Sequence, residues 1–155
     1  MGKELKAGDK SPDFSLTSDK GDKVNLKQFR GKRVVLYFYP KDNTPGCTRE
    51  SCDFRDSIAT IEKTGAVVLG VSLDDQASHE KFIKKYDLPF TLLCDTEKTM
   101  SKAYGVYKEK SLYGRKFWGI ERTTFIIGKD GKIEHVFRKV KVDNHCDEVL
   151  EALEA

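Results

Sequence analysis

The sequence has no long apolar segment and no apolar leader. No stretch approaches the ~20 apolar residues that a membrane-spanning helix needs, and residues 1–10 lack the apolar core of a secretory signal. Hydrophobic residues make up 38% of the 155 residues and charged residues 34%, which is typical of a soluble globular protein. We therefore expect no membrane association, a cytoplasmic location and a single domain over residues 1–155.

A strong charge bias is also missing. The 28 Lys and Arg residues nearly balance the 25 Asp and Glu residues, which leaves a net charge of +3. The basic runs at residues 108–110 and 139–141 are short and interrupted, as expected for a solvated face. Nucleic-acid binding needs basic residues clustered on one face, so we predict no nucleic-acid partner.

The four cysteines lack the pairing that metal centres use. Cys47, Cys52, Cys94 and Cys146 contain no Cys-x-x-Cys spacing, whereas structural zinc ligands usually come as tight pairs. His145 beside Cys146 makes a zinc site conceivable, but we predict no metal. In a cytoplasmic chain such cysteines indicate catalysis rather than a disulfide scaffold. Cys94 lies in an alternating apolar pattern, which indicates a packed core thiol, and the role of Cys146 stays open.

Residues 34–55 combine a strand, a turn and a helix start around one cysteine. Residues 34–39 are apolar, β-branched and aromatic, as in a strand buried on both faces. Pro40 and Gly46 lie in a stretch of turn residues. A helix follows, with Thr44 or Thr48 as a candidate cap. Cys47 is therefore predicted at the mouth of a helix, just past the end of a central strand.

This placement favours a reactive thiol. The thiolate is the nucleophile, and the unpaired N–H groups of a first helical turn favour a negative charge. Thr44 lies three residues before Cys47, so its hydroxyl could bond the sulfur or an incoming oxygen. The alternative is that Cys47 is only a small buried apolar residue, which is common for free cysteine. The surrounding turn residues favour the reactive interpretation.

The same residues carry a resemblance to a known family. Residues 40–47 match the Pro-x-x-x-Thr-x-x-Cys motif of peroxiredoxins, with Pro40 and Thr44 at its fixed positions. Residues 38–52 resemble the bacterioferritin comigratory protein (peroxiredoxin Q) branch. The resemblance implies that Cys47 is the peroxidatic cysteine and Cys52 the resolving one, joined after oxidation in a Cys47–Cys52 disulfide.

The resemblance also implies the reaction and its partners. Hydrogen peroxide and organic hydroperoxides would be the substrates, and thioredoxin or a similar dithiol protein would be the reductant. No metal, haem or flavin is implied, and the branch indicates a monomer. A thioredoxin-type oxidoreductase is disfavoured because it needs Cys-x-x-Cys at the helix start. The alternative is a redox sensor that passes its disulfide to a bound protein. The same cysteines would serve both functions, so only a measurement of catalytic turnover distinguishes the enzyme from the sensor.

The spacing of the two cysteines has a structural consequence. Residues five apart on an α-helix have Cα atoms roughly 8.6 Å apart. A disulfide cannot close beyond about 7 Å without movement of the backbone. We therefore predict that this helix is intact when Cys47 and Cys52 are reduced and locally unwound when they are bridged.

A second segment resembles the same family. Residues 119–125 are similar to its Gly-x-x-Arg-x-Thr-Phe pattern, which implies that Arg122 faces the peroxidatic sulfur. A guanidinium there would hold the thiolate and donate to the peroxide oxygens. Glu50 either orients an arginine, Arg122 or Arg49, or is a simple carboxylate at a helix start. The sequence offers no partner for any of the three histidines, so none receives a role.

The remaining elements predict an α/β fold. Apolar runs and turn residues alternate, which is typical of helices between parallel strands with an antiparallel edge. The order is similar to the thioredoxin-like fold of peroxiredoxins, a three-layer α/β/α sandwich with an N-terminal β-hairpin. The predicted strands are 14–16, 23–26, 34–39, 66–72, 90–95, 122–127 and 132–137, the predicted helices are 47–63, 78–86, 99–104 and 144–153, and residues 107–119 are predicted to form a loop beside the active site.

Overall fold

A seven-stranded mixed sheet forms the centre of the molecule. The structure is a computed structural model that describes residues 4–154. The strand order across the sheet is β2-β1-β5-β4-β3-β8-β9. The central strands β3, β4 and β5 are parallel, and the outer strands pair antiparallel. These strands are β1 Ser15–Ser18, β2 Lys23–Asn25, β3 Arg33–Phe38, β4 Ala66–Ser72, β5 Thr91–Cys94, β8 Thr123–Ile127 and β9 Ile133–Phe137.

Strand β3 is apolar throughout because it is covered on both faces. Val34, Leu36 and Phe38 pack into one hydrophobic cluster, while Val35 and Tyr37 pack into another on the opposite side. Alternate residues of a strand point to opposite faces, so a continuous apolar run supplies both clusters at once. This arrangement fixes the carboxyl end of β3 firmly between two layers.

The helices divide unequally between the two faces. Four helices pack their apolar residues on the same side of the sheet: α1 Pro45–Asp56, α2 Ile58–Lys63, α3 Gln76–Tyr86 and α5 His145–Glu154. The short helix α4 Thr99–Ala103 lies on the other side, where the 3₁₀ turn Leu26–Phe29 also packs. The predicted three-layer α/β architecture and N-terminal hairpin are confirmed.

Two predicted elements were wrong in detail. The helix predicted over residues 47–63 is two helices, because the backbone leaves the helical path at Ser57 (φ −106°, ψ 5°). The predicted loop over residues 107–119 is a hairpin, β6 Tyr107–Leu112 and β7 Arg115–Ile120. Its turn residues Tyr113 and Gly114 both have positive φ, the conformation of a tight hairpin turn.

Within residues 4–154, none of the helices combines the length and the apolar composition that crossing a bilayer would require. The ends of the predicted domain, residues 1–3 and 155, lie outside the described residues.

Candidate active site

Cys47 lies in the first turn of α1, directly after the turn that follows β3. Thr44 precedes the helix, and the N–H of Thr48 makes the first helical hydrogen bond to its carbonyl (2.8 Å). The N–H groups of Gly46 and Cys47 therefore come before the helical ladder and present partial positive charge. Cys47 is also 1% exposed. The sulfur thus combines burial with an environment that favours a negative charge.

Arg122 closes the site from the neighbouring strand. It immediately precedes β8, whose first residue Thr123 pairs with Phe38 at the end of β3. This register places the guanidinium beside the start of α1. Its Nη2 donates to Cys47 Sγ at 3.3 Å, and its Nη1 donates to Glu50 Oε1 at 2.6 Å. Arg122 thus bridges the sulfur and a buried carboxylate.

Gly46 makes room for this guanidinium. A Cβ atom at position 46 would lie 3.1 Å from Nη2 of Arg122, closer than nearly all Cβ contacts. A larger residue would push the arginine away from the sulfur. Gly46 therefore allows the close approach of Arg122 to the turn before Cys47.

Glu50 is a buried carboxyl group with one unpaired oxygen. It is 2% exposed, and its Oε2 has no hydrogen-bond partner among the residues that the structure describes. Nε2 of His145 lies 4.0 Å from this oxygen. Burial raises the pKa of Glu50 to about 7, although Arg122 works in the opposite direction. Glu50 pairs with Arg122, whereas Arg49 pairs with Asp143.

His145 lies next to this pair, and no pattern in the sequence indicated it. Its ring contacts Thr124 Oγ1 (2.8 Å) through Nε2 and Glu148 Oε1 (3.1 Å) through Nδ1. Burial lowers its pKa, and Arg122 contributes in the same direction. A neutral imidazole therefore lies against Glu50 without supplying a second positive charge.

The raised pKa of Glu50 gives a testable dependence of stability on pH. Between about 4.5 and 7, the native state holds a proton that the unfolded state has lost. Stability therefore falls as the pH rises through this window. Relative to Glu50→Gln, the wild type should lose up to about 3 kcal/mol of unfolding free energy. Urea unfolding of both reduced proteins across this range measures the difference, and a flat or rising difference would contradict it.

Thr44, which precedes α1, and Lys110 are two further polar side chains of this region. The Thr44 hydroxyl donates to the carbonyl of Lys41 (2.9 Å) rather than to the sulfur, so its oxygen can still accept a hydrogen bond. Lys110, on β6, donates to the carbonyl of Ile120 (2.8 Å). Burial and then Arg122 lower the pKa of Lys110. Pro40 is half-buried at the start of the turn.

The other three cysteines have different environments. Cys52 lies five residues after Cys47 on the same intact helix and is partly exposed. Cys94 is buried at the end of β5, and desolvation raises its pKa to about 11. The Cys146 Sγ contacts the carbonyl of Asp53 at 3.5 Å, and burial raises its pKa as well. Burial thus works against ionisation of Cys94 and Cys146.

A second polar cluster lies behind the turn, and sequence reasoning missed it. Asp42, Asp74 and His79 bring ligand-type atoms within 4.8 Å of one another. The 2.7 Å separation of His79 Nδ1 from Asp42 Oδ2 is that of a hydrogen bond, and Asp74 accepts from the N–H of Asp42 (2.8 Å). These groups already satisfy one another, so the cluster is better described as a buried network than as a metal site.

Comparison with known proteins places this site in a family. Residues 7–136 match the model of the AhpC/TSA family. The peroxiredoxin Bcp of Bacillus subtilis (strain 168) is 48% identical over 149 residues, which cover 96% of this chain and 95% of that protein. The similarity therefore extends over almost the whole of both chains.

Solved structures agree with this similarity. The bacterioferritin comigratory protein of Xanthomonas campestris, described for its alkyl peroxide reduction activity, matches with a TM-score of 0.90 at 40% identity, covering 96% of this chain and 97% of that chain. A cysteine-to-serine mutant of PrxQ from Xylella fastidiosa matches with a TM-score of 0.93 at 38% identity, covering 99% and 98%. These neighbours confirm the thioredoxin-like fold expected from the sequence.

Proposed function

The chain belongs to the AhpC/TSA family, in its bacterioferritin comigratory protein (peroxiredoxin Q) branch, and we propose that Cys47 and Cys52 carry out its peroxidase reaction as an intramolecular pair. The chain is a peroxiredoxin, a thiol peroxidase. The observation that carries the assignment of Cys47 is the 3.3 Å contact of its sulfur with Arg122 at the start of a helix.

The first step is attack of the Cys47 thiolate on the peroxide. The sulfur forms a bond to the terminal oxygen as the O–O bond breaks, which gives a sulfenic acid on Cys47. The departing hydroxide or alkoxide takes up a proton and leaves as water or alcohol. Charge moves from sulfur to the departing oxygen in this step. Fixed donors on Arg122 and the first-turn N–H groups therefore stabilise the transition state more than the ground state, and Thr44 supplies an acceptor for the peroxide proton.

The second step is resolution by Cys52. Its thiol attacks the sulfenic sulfur of Cys47, a disulfide forms, and the sulfenic oxygen leaves as water. Both cysteines lie on α1, which is continuous from Pro45 to Asp56. Because helical spacing holds their Cα atoms roughly 8.6 Å apart, α1 must unwind locally before the bond can close.

The third step needs an external dithiol. We propose thioredoxin or a similar protein, which would attack the Cys47–Cys52 disulfide and leave with the disulfide itself, returning two thiols to this chain. Exchange of this kind proceeds through a mixed disulfide and depends on access to the attacked sulfur. The partly exposed Cys52 is the more accessible of the two. Such recycling suits a reducing compartment, in line with the expected cytoplasmic location. Hydrogen peroxide and organic hydroperoxides are the proposed substrates, and a monomer is the proposed state.

Treatment of Cys52→Ser with one equivalent of hydrogen peroxide should separate the two roles. We expect a sulfenic acid trapped on Cys47 in the variant, because no thiol lies on the same helix to resolve it. The wild type should instead lose two hydrogens and yield a Cys47–Cys52 peptide. Intact mass and peptide mapping measure both products, and dimedone labelling identifies the sulfenic acid.

Other products would change the assignment in defined ways. A bridge from Cys47 to Cys94 or Cys146 in the wild type would keep the peroxidase and replace the resolving thiol. The absence of oxidation at Cys47 would overturn the proposed site. Catalytic turnover of peroxide with a thioredoxin system distinguishes the enzyme from a sensor that only passes on its disulfide.

A further inference from the structure

The turn that leads to Cys47 contains a residue in the left-handed conformation. Asn43 has a positive φ of 59°, which asparagine adopts more readily than most non-glycine residues. It lies between Asp42 and Thr44, two residues before α1 begins at Pro45. A turn in this conformation persists when its surroundings hold it in place.

Helix α3 supplies the contacts that hold this turn. Two of its residues reach the carboxylate of Asp42, namely Ser78 through its hydroxyl (2.8 Å) and His79 through Nδ1 (2.7 Å). Farther along the same helix, the Tyr86 hydroxyl donates to Oδ1 of Asn43 (3.0 Å). Two adjacent turn residues, Asp42 and Asn43, are therefore hydrogen-bonded to helix α3.

His79 is the buried centre of these contacts. The side chain of His79 is 0% exposed and that of Asp42 is 3% exposed. The second ring nitrogen, Nε2, lies 2.9 Å from the carbonyl of Leu93, which can only accept, so Nε2 carries a hydrogen. Asp42 also accepts from the Tyr39 hydroxyl (2.6 Å). His79 thus joins the turn to strand β5 through its two nitrogens.

We propose that His79 is a positioning residue for peroxide reduction, which holds Asp42 and so fixes the turn that carries Thr44 at the start of the Cys47 helix. The claim rests on the proposed reaction at Cys47. In this role His79 makes no contact with substrate. Its imidazole hydrogen-bonds Asp42 and Leu93, and it acts on the site through Asp42. Burial lowers the pKa of His79, but Asp42, with Asp74 beside it, acts in the opposite direction, and the pKa is raised overall. The raised pKa reflects the attraction between the imidazolium and the carboxylate of Asp42.

Two conservative variants separate positioning from general stability. The variant His79→Asn places an amide nitrogen near the position of Nδ1 and keeps the bond to Asp42. The variant His79→Gln places an amide nitrogen near the position of Nε2 and keeps the bond to Leu93. Each variant loses one buried hydrogen bond, so we expect similar falls in melting temperature. Only His79→Gln should reduce the rate constant for oxidation of Cys47 by hydrogen peroxide, by roughly 10- to 100-fold, as misplacement near the chemistry does. His79→Asn should stay within about threefold of the wild type.

A second readout identifies what is lost. Iodoacetamide also reacts with the Cys47 thiolate but makes no use of an acceptor on Thr44. Alkylation should therefore change less than about threefold in His79→Gln while peroxide oxidation falls. Three outcomes would overturn the inference. Peroxide oxidation and alkylation could fall together in His79→Gln, the two variants could have equal peroxide rates, or His79→Gln could oxidise at the wild-type rate. If neither variant folds, Tyr86→Phe decides. In this variant, a lower peroxide rate with unchanged alkylation supports the fixing of the turn by helix α3, and an unchanged peroxide rate contradicts it.

The controls keep this inference distinct from the proposed function. If the wild-type Cys47 is not oxidised by peroxide, the proposed function fails, and the positioning role of His79 in that reaction is overturned with it. If the wild type is oxidised and the two variants behave alike, only the role of His79 is rejected.

Discussion

Cys47→Ser should abolish peroxide reduction, with kcat/KM falling by more than about three orders of magnitude. That loss corresponds to at least about 4 kcal/mol of transition-state stabilisation. A serine hydroxyl is a weak nucleophile unless a neighbouring base activates it. The guanidinium of Arg122 and the N–H groups of the helix start lie beside position 47 and donate rather than accept protons, so neither can act as such a base. The site is built to hold an anion that serine does not form near neutral pH.

The fold should survive this substitution, because serine is of similar size and can still accept from Arg122. Near-wild-type circular dichroism and only a small change in melting temperature would show that the lost activity is chemical. Cys94→Ser and Cys146→Ser are the matched controls, since both thiols are buried and the Cys146 sulfur contacts the carbonyl of Asp53 rather than Arg122, so their variants should keep most of the activity. Substantial turnover by Cys47→Ser, or its loss in the Cys146 variant alone, would move the reactive thiol elsewhere.

The strands could be predicted from the sequence because their signals are local. Residues 34–39 and 66–72 are apolar runs bounded by turn residues, and β4 begins and ends where this pattern predicts. The break at Ser57 has no such signal, because serine occurs in helices as well as between them. The hairpin β6–β7 was missed because its lysines conceal the alternation. The Tyr113–Gly114 turn was the available clue.

The residues of the candidate site could be predicted where they belong to a sequence motif. Residues that meet only through folding, because they are buried against distant segments, could not. Cys47 and Arg122 are both named by the family pattern, and in the structure Arg122 contacts Cys47 and Glu50. His79 and His145 were assigned no role, since their partners come from distant strands and loops. A histidine among charged residues of a helix looks exposed in sequence, although both of these side chains are buried.

Helix α1 has two opposed requirements. To hold Cys47 beside Arg122 it must be firmly packed, and Phe54 is fully buried while Ser51 bonds the Tyr37 hydroxyl at 2.8 Å. To form the proposed Cys47–Cys52 disulfide it would have to release the segment between the cysteines, which contains Glu50 and Ser51. Unwinding would therefore cost the contacts of both residues. In the proposed reaction, the new disulfide bond offsets these lost contacts once the sulfenic acid has formed.

Arg122→Ala should affect both activity and stability, for separable reasons. Losing the donors that face the sulfur should lower kcat/KM for peroxide by about 10²- to 10³-fold, as for other transition-state donors. Glu50 would also lose the partner that bonds its Oε1. Breaking a buried ion pair costs about 3–5 kcal/mol when the remaining charge stays buried. The cost should be largest above about pH 8 and smaller near pH 6, where a carboxyl with a raised pKa takes up a proton and becomes neutral.

The double variant Arg122→Ala/Glu50→Gln separates these two effects. Gln carries no charge, so most of the lost stability should return, and the part of the pH dependence that Glu50 contributes should disappear. Activity should stay low, since the double variant still lacks the guanidinium 3.3 Å from the sulfur. Urea unfolding at two pH values and peroxide kinetics on the same samples measure both. If activity recovers together with stability, Arg122 acts by supporting the fold. If activity stays low in a stable protein, Arg122 acts on the reacting atoms themselves.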